Sequence, residues 1–433
     1  RRRPPPSIRS RNTTDRITKR GKRMAQPTNI LDGIRVLDFT QALAGPTTTR
    51  LMAEMGAEVI KVELAPNGEQ ARGLPYFRNG RSGYYIQQNR GKKSIAIDRK
   101  NPRSIELVKK VLESCDVLVE NFAPGVIDRL GFSWEEVHAA NPRLIMGSIS
   151  AFGQTGPLSK LPGYDYIGAA YAGVLSMIGE PDGPPYFYML GIGDVMTGTH
   201  LLAAINGALF HRERTGVGQY VEASLLDSYF HCHEVNVQAH TASNGEIKPH
   251  RSGAHHYAVS PLGVFKCKEG YVIIAVLQNQ WPKFCNALGK PELVDDPRFV
   301  DNVERVANRE ALSAIIEESL TRYSTAIEAA EDWGFNHHVP VAPILSVEQA
   351  VNHPHLIERE TIRTIEDPIF GSYQVPGMPL RFSAAPRHQK LDAAYMGEHN
   401  VDVFTQFAGV SEADVRALEA SGALIAKPDV AES

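Results

Sequence analysis

The segment Ile34–Glu63 reads IRVLDFTQALAGPTTTRLMAEMGAEVIKVE and predicts a strand, a helix and a second strand. Ile34–Phe39 and Glu58–Glu63 are rich in aliphatic and β-branched residues, which favour extended backbone. Between them, Pro46 is well placed as the first residue of a helix that ends at Gly56, because the proline ring presets a helical φ angle. Two strands joined through a helix run parallel in one sheet. The segment therefore predicts the opening unit of an α/β fold.

The same alternation continues along the chain. Short apolar runs at 94–98, 116–120 and 143–149 predict further strands, and the stretches 104–114 and 133–140 predict helices. Repeated strand–helix units imply a parallel sheet that is covered by helices on both faces.

The second half of the chain has a different pattern. A long helix is predicted from about Val195 to Arg214, and a hairpin over 265–276 is followed by helices at 281–288 and 310–323. A proline-rich stretch over 340–386 predicts an extended connection, and a closing helix is predicted over 412–421. We therefore predict a Rossmann-like large domain over 24–224 and 395–433, a small α/β domain over 225–330 and an extended linker over 331–394.

Composition excludes several classes of protein. The 433 residues are 42% hydrophobic and 22% charged, which is ordinary for a globular protein. A formal net charge of -3 provides no field that favours nucleic acid or a membrane surface, and no apolar run approaches the ~18 residues of a membrane span. The four cysteines are scattered, without the spacing of metal ligands or a disulfide framework. We therefore expect no metal site and a reducing, most simply cytoplasmic, location.

The first 23 residues form a basic, proline-containing extension with one acid, Asp15. Such a segment is typical of a transit peptide or of a nucleic-acid arm, and a transit peptide would indicate a mitochondrial location. Its prolines and scarcity of apolar residues argue against an amphipathic helix. We predict a disordered extension over 1–23 and exclude it from the fold.

Two features of the first half bear on ligand binding. The turn Thr40–Pro46 occupies the place of a dinucleotide-binding fingerprint but has a single glycine, so a nicotinamide enzyme is a weak interpretation. Basic residues cluster at Asn89–Lys93 and at Arg99 and Lys100, with Arg129 further on. Each alone is typical of a solvated surface, whereas as a group they could form a phosphate site.

Asp194 is flanked by glycines at the start of an apolar helix, in the run Leu190–His200. Aspartate is a preferred N-cap residue, and capping is far commoner than catalysis. The alternative is a nucleophile that the neighbouring glycines leave open to a bulky substrate. The run alone favours the cap.

Seven segments, taken together and in order, resemble the class III CoA-transferase family, which includes formyl-CoA transferase and carnitine CoA-transferase. The resemblance covers about residues 30–420. The segments are Leu31–Phe39, Ala44–Pro46, Gly56–Glu63, Asn89–Ser94, Glu120–Phe122, Gly163–Asp165 and Gly193–Asp194.

The resemblance implies an enzyme that moves CoA from an acyl-CoA donor to a free carboxylic acid, without a permanently bound cofactor. It implies that Asp194 is the nucleophile, passing through a mixed anhydride and an aspartyl-CoA thioester. Because both are easily hydrolysed, the site must exclude water. The family fold is an interlocked homodimer.

The resemblance also implies roles for further residues. Leu43 and Ala44 match the first CoA-contacting loop, and Ile97, Arg99 and Lys100 would flank the adenine and ribose. Asn121 and Phe122 would contact the pantetheine or nucleotide, and Arg129 a phosphate. Tyr84, Tyr164 and Asp165 would line the acyl pocket.

Departures from the family pattern concern the substrate. The formyl-CoA transferases carry Gln at the position of Leu43 and Arg at that of Leu64, and their tetraglycine loop is absent near 250–262. Oxalate is therefore not expected, and a short dicarboxylate is the prediction by family frequency.

Two alternatives remain open. The first is an α-methylacyl-CoA racemase, which needs bases on both faces of the α-carbon. That branch of the superfamily has His beside Asp where this chain has Tyr164 beside Asp165, and tyrosine, with its pKa of ~10, is a poor proton acceptor at neutral pH. A non-catalytic CoA- or nucleotide-binding protein would leave Asp194 unmodified.

Overall fold

The computed structural model describes residues 29–385 and 391–427. The predicted basic extension over 1–23 lies outside these residues, so the prediction about it remains a prediction. Within the described residues, no helix combines the length and the apolar character needed to cross a membrane.

The strands are β1 (Arg35–Asp38), β2 (Glu58–Leu64), β3 (Phe77–Arg78), β4 (Arg81–Ser82), β5 (Lys92–Ile97), β6 (Val117–Glu120), β7 (Ile145–Ser150), β8 (Tyr220–Ser224), β9 (Leu262–Lys266), β10 (Tyr271–Ala275), β11 (Val341–Pro343), β12 (Ile362–Asp367) and β13 (Gly371–Pro376).

The α-helices of the first half are α1 (Ala44–Glu54), α2 (Gly83–Asn89), α3 (Pro102–Leu112), α4 (Val126–Arg129), α5 (Trp134–Ala140), α6 (Asp165–Tyr171) and α7 (Ile192–Thr215). Those of the second half are α8 (Leu225–His231), α9 (Asn236–Ala242), α10 (Trp281–Leu288), α11 (Asn302–Ala307), α12 (Arg309–Leu320), α13 (Ala326–Glu331), α14 (Val347–Val351), α15 (Pro354–Glu358), α16 (Asn400–Ala408) and α17 (Glu412–Ala420).

Six parallel strands form the central sheet in the order β5-β2-β1-β6-β7-β8. The chain starts at β1 in the middle, runs outward to β2 and β5, and then returns to build β6, β7 and β8 on the other side. The direction of winding therefore reverses between β1 and β6. Open α/β sheets bind ligands at the carboxyl ends of the strands beside such a reversal.

Alternate residues of each strand feed two cores on opposite faces of the sheet. Val36 packs with α1 and α7 on one face, whereas Leu37 packs with α3, α16 and α17 on the other. Strands buried on both faces explain the nearly continuous apolar runs in the sequence. The predicted α/β class with a parallel-sheet large domain is confirmed.

The C-terminal segment returns to the outer edge of this sheet. Beyond α17, the N–H of Ile425 donates to the carbonyl of Ala96 at 2.9 Å, and Leu424 pairs with Ile97 in an antiparallel bridge. Residues more than 300 positions apart thus share one sheet edge.

The second half of the chain builds a three-stranded antiparallel sheet, β11-β10-β9, packed on α10, α12 and α13. The strands β9 and β10 form the predicted hairpin. The start of this region differs from the predicted boundary at residue 225, because α8 packs on α6 and α7 beside the central sheet.

The stretch predicted as an extended linker over 331–394 is more structured than expected. It contributes β11 to the small sheet and then forms the hairpin β12–β13. Phe370 between these strands packs near Tyr85 and Ile86 of α2, and the buried guanidinium of Arg81 donates to Asp367 at 2.8 Å. These contacts were not predicted, because sequence pattern does not reveal which distant side chains a proline-rich segment will meet.

The basic cluster Asn89–Lys93 is not the phosphate site that its charge suggested. Arg90 is fully buried and donates to Glu54 at 2.7 Å, and buried Lys92 pairs with Asp38 at 3.0 Å. Burial raises the pKa of Asp38, but Lys61 and Lys92 outweigh it and bring the pKa down to about 2. These cations are therefore engaged in internal ion pairs.

Candidate active site

Asp194 is the third residue of α7 and not its N-cap, which is Gly191. The simple capping interpretation of Asp194 is therefore wrong. The carboxyl group lies in the first helical turn, where the positive end of the helix dipole favours an anion.

Backbone N–H groups in the first turn of α7 instead donate to side chains of other helices. The N–H of Asp194 donates to Oδ2 of Asp165 at 3.0 Å, and the N–H of Gly193 donates to the hydroxyl of Tyr229 at 2.9 Å. The Tyr229 hydroxyl in turn donates to Oδ1 of Asp165. First-turn N–H groups have no partner within their own helix, so these bonds fix the backbone on which Asp194 is carried.

The glycines beside Asp194 serve packing and do not open the site. A Cβ atom on Gly193 would lie 2.1 Å from Cε2 of Tyr229, and one on Gly191 would lie 2.4 Å from Cδ2 of Leu43. The expectation that these glycines admit a bulky substrate is wrong, because protein atoms already fill the space beside them.

Two carboxylates lie close together at this point, with consequences for ionisation. Burial raises the pKa of Asp194 to about 7, and the negative charge of Asp165 adds to the shift. Burial likewise raises the pKa of Tyr84 to about 12, with Asp194 as the second cause. A carboxyl group with a pKa near neutrality, beside a cavity, is a candidate for chemistry.

A cavity of about 310 Å³ lies beside Asp194, at the carboxyl ends of β1, β6 and β7. It therefore occupies the reversal point of the sheet, where ligand binding is expected. Its lining residues are Gln41, Ala42, Leu43, Ala44, Gln70, Asn121, Phe122, Ala123, Pro124, Ile149, Ser150, Ala151, Ser159, Leu161, Pro162, Gly163, Tyr164, Asp194 and Leu225.

A buried ion pair supports the turn Thr40–Pro46, the first loop that lines the cavity. Ala42 has a φ of 64°, a conformation rare for a residue other than glycine. Its N–H donates to Glu69 at 2.7 Å, and Glu69 pairs with Lys61 at 2.5 Å. Lys61 also donates to the carbonyl of Thr40 at 2.6 Å. These contacts fix the shape of the turn that presents Leu43 to the cavity.

The structure brings together part of the predicted site. Leu43, Ala44, Asn121, Phe122 and Tyr164 line the cavity with Asp194.

The other predicted residues are elsewhere. Three of them are exposed and follow β5 or β6 at the carboxyl ends of the strands, namely Arg99, Lys100 and Arg129. The Ile97 side chain, by contrast, is fully buried in the core. The predicted contact between that side chain and a nucleotide is therefore not available.

Tyr84 and Asp165 are also not among the cavity-lining residues. Tyr84 is partly buried, and Asp165 is buried with its carboxylate directed at the N-terminus of α7. Asp165 therefore contacts the backbone of Asp194 and does not line this cavity.

Several site residues were missed by sequence reasoning. Gln41 was detectable, because it belongs to the same loop as Leu43. Gln70, Ser150 and Tyr229 carry no local signal and reach the site only through the tertiary fold.

No group of three or more His, Cys, Asp or Glu residues is placed to hold a metal ion within residues 29–385 and 391–427.

Comparison with known proteins identifies the family. The model of CoA-transferase family III matches residues 31–400. The chain belongs to CoA-transferase family III. This CoA-transferase is 33% identical to succinyl-CoA:glutarate CoA-transferase of Mus musculus over 399 residues, which cover 91% of the chain and 90% of that relative. It is 34% identical to formyl-CoA:oxalate CoA-transferase of Rhodopseudomonas palustris strain BisA53, with coverage of 92% and 98%.

The fold of this CoA-transferase agrees with its family. The crystal structure of a CAIB/BAIF family protein from Brucella suis matches with a TM-score of 0.75 at 32% identity, covering 88% of this chain and all of that one, 100%. The prediction of a family III CoA-transferase is confirmed. Membership favours an enzyme over the non-catalytic binding protein and over a nicotinamide oxidoreductase.

Proposed function

We propose that this CoA-transferase moves CoA from an acyl-CoA donor to a free, short dicarboxylic acid, with Asp194 as the nucleophile. The observation that carries the proposal is the Asp194 carboxyl group, which lines the cavity at the reversal point of the sheet. The similar proteins are named for exchange between a CoA thioester and a carboxylate, glutarate in one and oxalate in another.

The chemistry balances with one carboxylate. A carboxylate oxygen of Asp194 attacks the thioester carbonyl, giving a mixed anhydride and CoA thiolate. The thiolate attacks the Asp194 carbonyl of the anhydride, releasing the donor acid and leaving an aspartyl-CoA thioester. The acceptor carboxylate attacks that thioester to form a second anhydride and thiolate. The thiolate then attacks the acyl carbonyl of the acceptor, which gives the new acyl-CoA and restores Asp194.

The loops around the cavity suit the parts of CoA. Leu43, Ala44 and Phe122 offer apolar surface to the pantetheine arm, and Asn121 stiffens the first loop by accepting from the N–H of Gln41 at 2.7 Å. Exposed Arg99, Lys100 and Arg129 at the same sheet edge could pair with the phosphates.

The acceptor acid would be recognised without a cation from the cavity wall. None of the described residues that line this cavity is Arg, Lys or His. The second carboxylate of a dicarboxylic acid would therefore meet neutral donors, such as the amides of Gln41 and Gln70 and the buried, unpaired hydroxyl of Ser150.

We also propose that the chain forms a homodimer. The loop before α7 exposes large apolar side chains, with Phe187, Met189 and Leu190 at 63%, 89% and 63% exposure. Contiguous exposed apolar surface is typical of an interface. Light scattering should give twice the chain mass of 47.6 kDa, and a monomer at micromolar concentration would contradict the dimer.

The enzyme function is tested by trapping the acyl-enzyme. The protein is incubated with succinyl-, acetyl- and formyl-CoA, treated with hydroxylamine and digested, and the peptide containing Asp194 is examined by mass spectrometry. We expect an Asp194 hydroxamate that requires acyl-CoA. An unmodified peptide, together with solvent deuterium entering the α-carbon of a branched acyl-CoA, would instead identify a racemase.

A further inference from the structure

Tyr229 joins three partners at the start of α7. The side chain is 2% exposed, and its hydroxyl accepts from the N–H of Gly193 at 2.9 Å while donating to Oδ1 of Asp165. The same oxygen lies 2.5 Å from the hydroxyl of Tyr188. A hydroxyl has one hydrogen, and that of Tyr229 is given to the carboxylate, so Tyr188 is the donor in this pair.

These bonds fix the Asp165 carboxylate at both oxygens. Oδ1 accepts from Tyr229, and Oδ2 accepts from the N–H of Asp194 at 3.0 Å. Both oxygens act as acceptors in these contacts, as carboxylate oxygens do. The negative charge of Asp165 is therefore held next to Asp194 by groups from two other elements, the Tyr229 hydroxyl of α8 and a first-turn N–H of α7.

Four groups from different elements surround Asp194. Burial is the first cause that raises the pKa of Asp194, and the negative charge of Asp165, from α6, is the second. Tyr84 from α2 and Tyr164 from the cavity loop are phenols, and the pKa of Tyr84 is raised to about 12 by burial first. Tyr229 reaches Asp194 only through Asp165 and the backbone of Gly193.

We propose that Tyr229, supported by Tyr188, is a positioning residue for acyl transfer that holds the Asp165 anion against Asp194. This inference rests on the proposed function. A fixed neighbouring anion makes the Asp194 carboxylate more basic and hence a better nucleophile. When that carboxylate bonds to the acyl carbon, the resulting anhydride is neutral and the repulsion disappears. The negative charge of Asp165 thus raises the energy of the ionised Asp194 carboxylate but not that of the anhydride.

The test combines two substitutions with pH profiles of kcat/KM, which report the ionisation of the free enzyme. Attack requires ionised Asp194, so activity should rise with pH through an acidic limb near pH 7. Asp165→Asn removes the charge, and the limb should therefore move to lower pH, by at least about one pH unit. Tyr229→Phe keeps the charge of Asp165 but removes the hydrogen bond that fixes its carboxylate. The acidic limb should therefore also move to lower pH, but by less than in Asp165→Asn. The kcat of Tyr229→Phe at the plateau should fall about tenfold, with KM for acyl-CoA within about twofold.

Tyr323→Phe is the matched control, because the hydroxyl of Tyr323 donates to Asp332 at 2.5 Å in the small domain, away from Asp194. It should leave kcat and the pH profile unchanged. If Tyr229→Phe keeps the wild-type limb, the proposal is wrong whether or not kcat falls. Should that variant fail to fold, Tyr188→Phe, at a partly exposed position, should give the same shift to a smaller extent, and an unmoved limb there would overturn it. Failure of the proposed function is separate, since it would appear as an unlabelled Asp194 in the unsubstituted enzyme.

Discussion

Asp194→Ala is expected to reduce CoA exchange by about 10,000-fold or more, since loss of a nucleophile removes the covalent route altogether. Asp165 cannot replace it, because both of its carboxylate oxygens are already engaged by Tyr229 and by the N–H of Asp194. The measurement is the exchange rate with the best acyl-CoA found by trapping. Activity within tenfold of the wild type would contradict the nucleophile assignment.

The same variant should remain folded, and its stability relative to the wild type should increase as the pH rises, because the wild type is destabilised when Asp194 ionises. The pKa of Asp194 is about 7 in the folded chain against an ordinary 3.8, so ionisation opposes folding. The wild type loses no stability from this ionisation below about pH 4, and the loss reaches its full size above about pH 7. The difference in melting temperature between Asp194→Ala and the wild type should therefore shift in favour of the variant between pH 4 and pH 8.

Asp414→Ala provides the matched control for that experiment. Asp414 is also the third residue of its helix, α17, where it accepts from the hydroxyl of Ser411 at 2.7 Å. It lies in the C-terminal segment, outside the cavity lining. Its removal should leave the exchange rate unchanged and should not reproduce the pH-dependent gain in stability.

Gly193→Ala is the second substitution expected to have a large effect. The new methyl group would lie 2.1 Å from Cε2 and 2.6 Å from Cζ of Tyr229, so either the buried ring or the start of α7 must move. Asp194 is the next residue, and a displacement of about 1 Å at a reacting group can cost ~100-fold in rate. We therefore expect kcat to fall about 100-fold, with about 1–3 kcal/mol of lost stability from overpacking.

Gly207→Ala separates this effect from a general intolerance of α7 to alanine. Gly207 lies in the same helix, and a Cβ atom there would meet no atom within 4 Å. Alanine favours the helix by up to about 1 kcal/mol over glycine. The control should be active and at least as stable as the wild type, and equal activity of the two variants would contradict the role of the Gly193–Tyr229 contact.

Much of the fold could be predicted because its signals are local. The run Ile34–Glu63 contains two strands and a helix whose apolar pattern shows within a few residues, and the structure has β1, α1 and β2 there. The strand β8 was missed, since its five residues, Tyr220–Ser224, carry little apolar pattern and are ordered by pairing with β7.

The site was predictable only as far as its residues lie in recognisable segments. Leu43, Asn121 and Asp194 belong to such segments, and the structure gathers them around one cavity. The Tyr229–Asp165 bond joins residues 64 positions apart, and no local pattern encodes such a contact. The sequence likewise could not distinguish Arg90 and Lys92, buried in ion pairs, from cations facing solvent.

The bridge between Leu424 and Ile97 also constrains how the protein is made. The outer edge of β5 is covered by residues that leave the ribosome long after β5 itself. Until Ile425 emerges and its N–H reaches the carbonyl of Ala96, that edge exposes unpaired backbone groups. An open strand edge is a template for pairing with other chains. The nascent chain therefore presents this open edge for as long as the residues between β5 and Ile425 are still being synthesised.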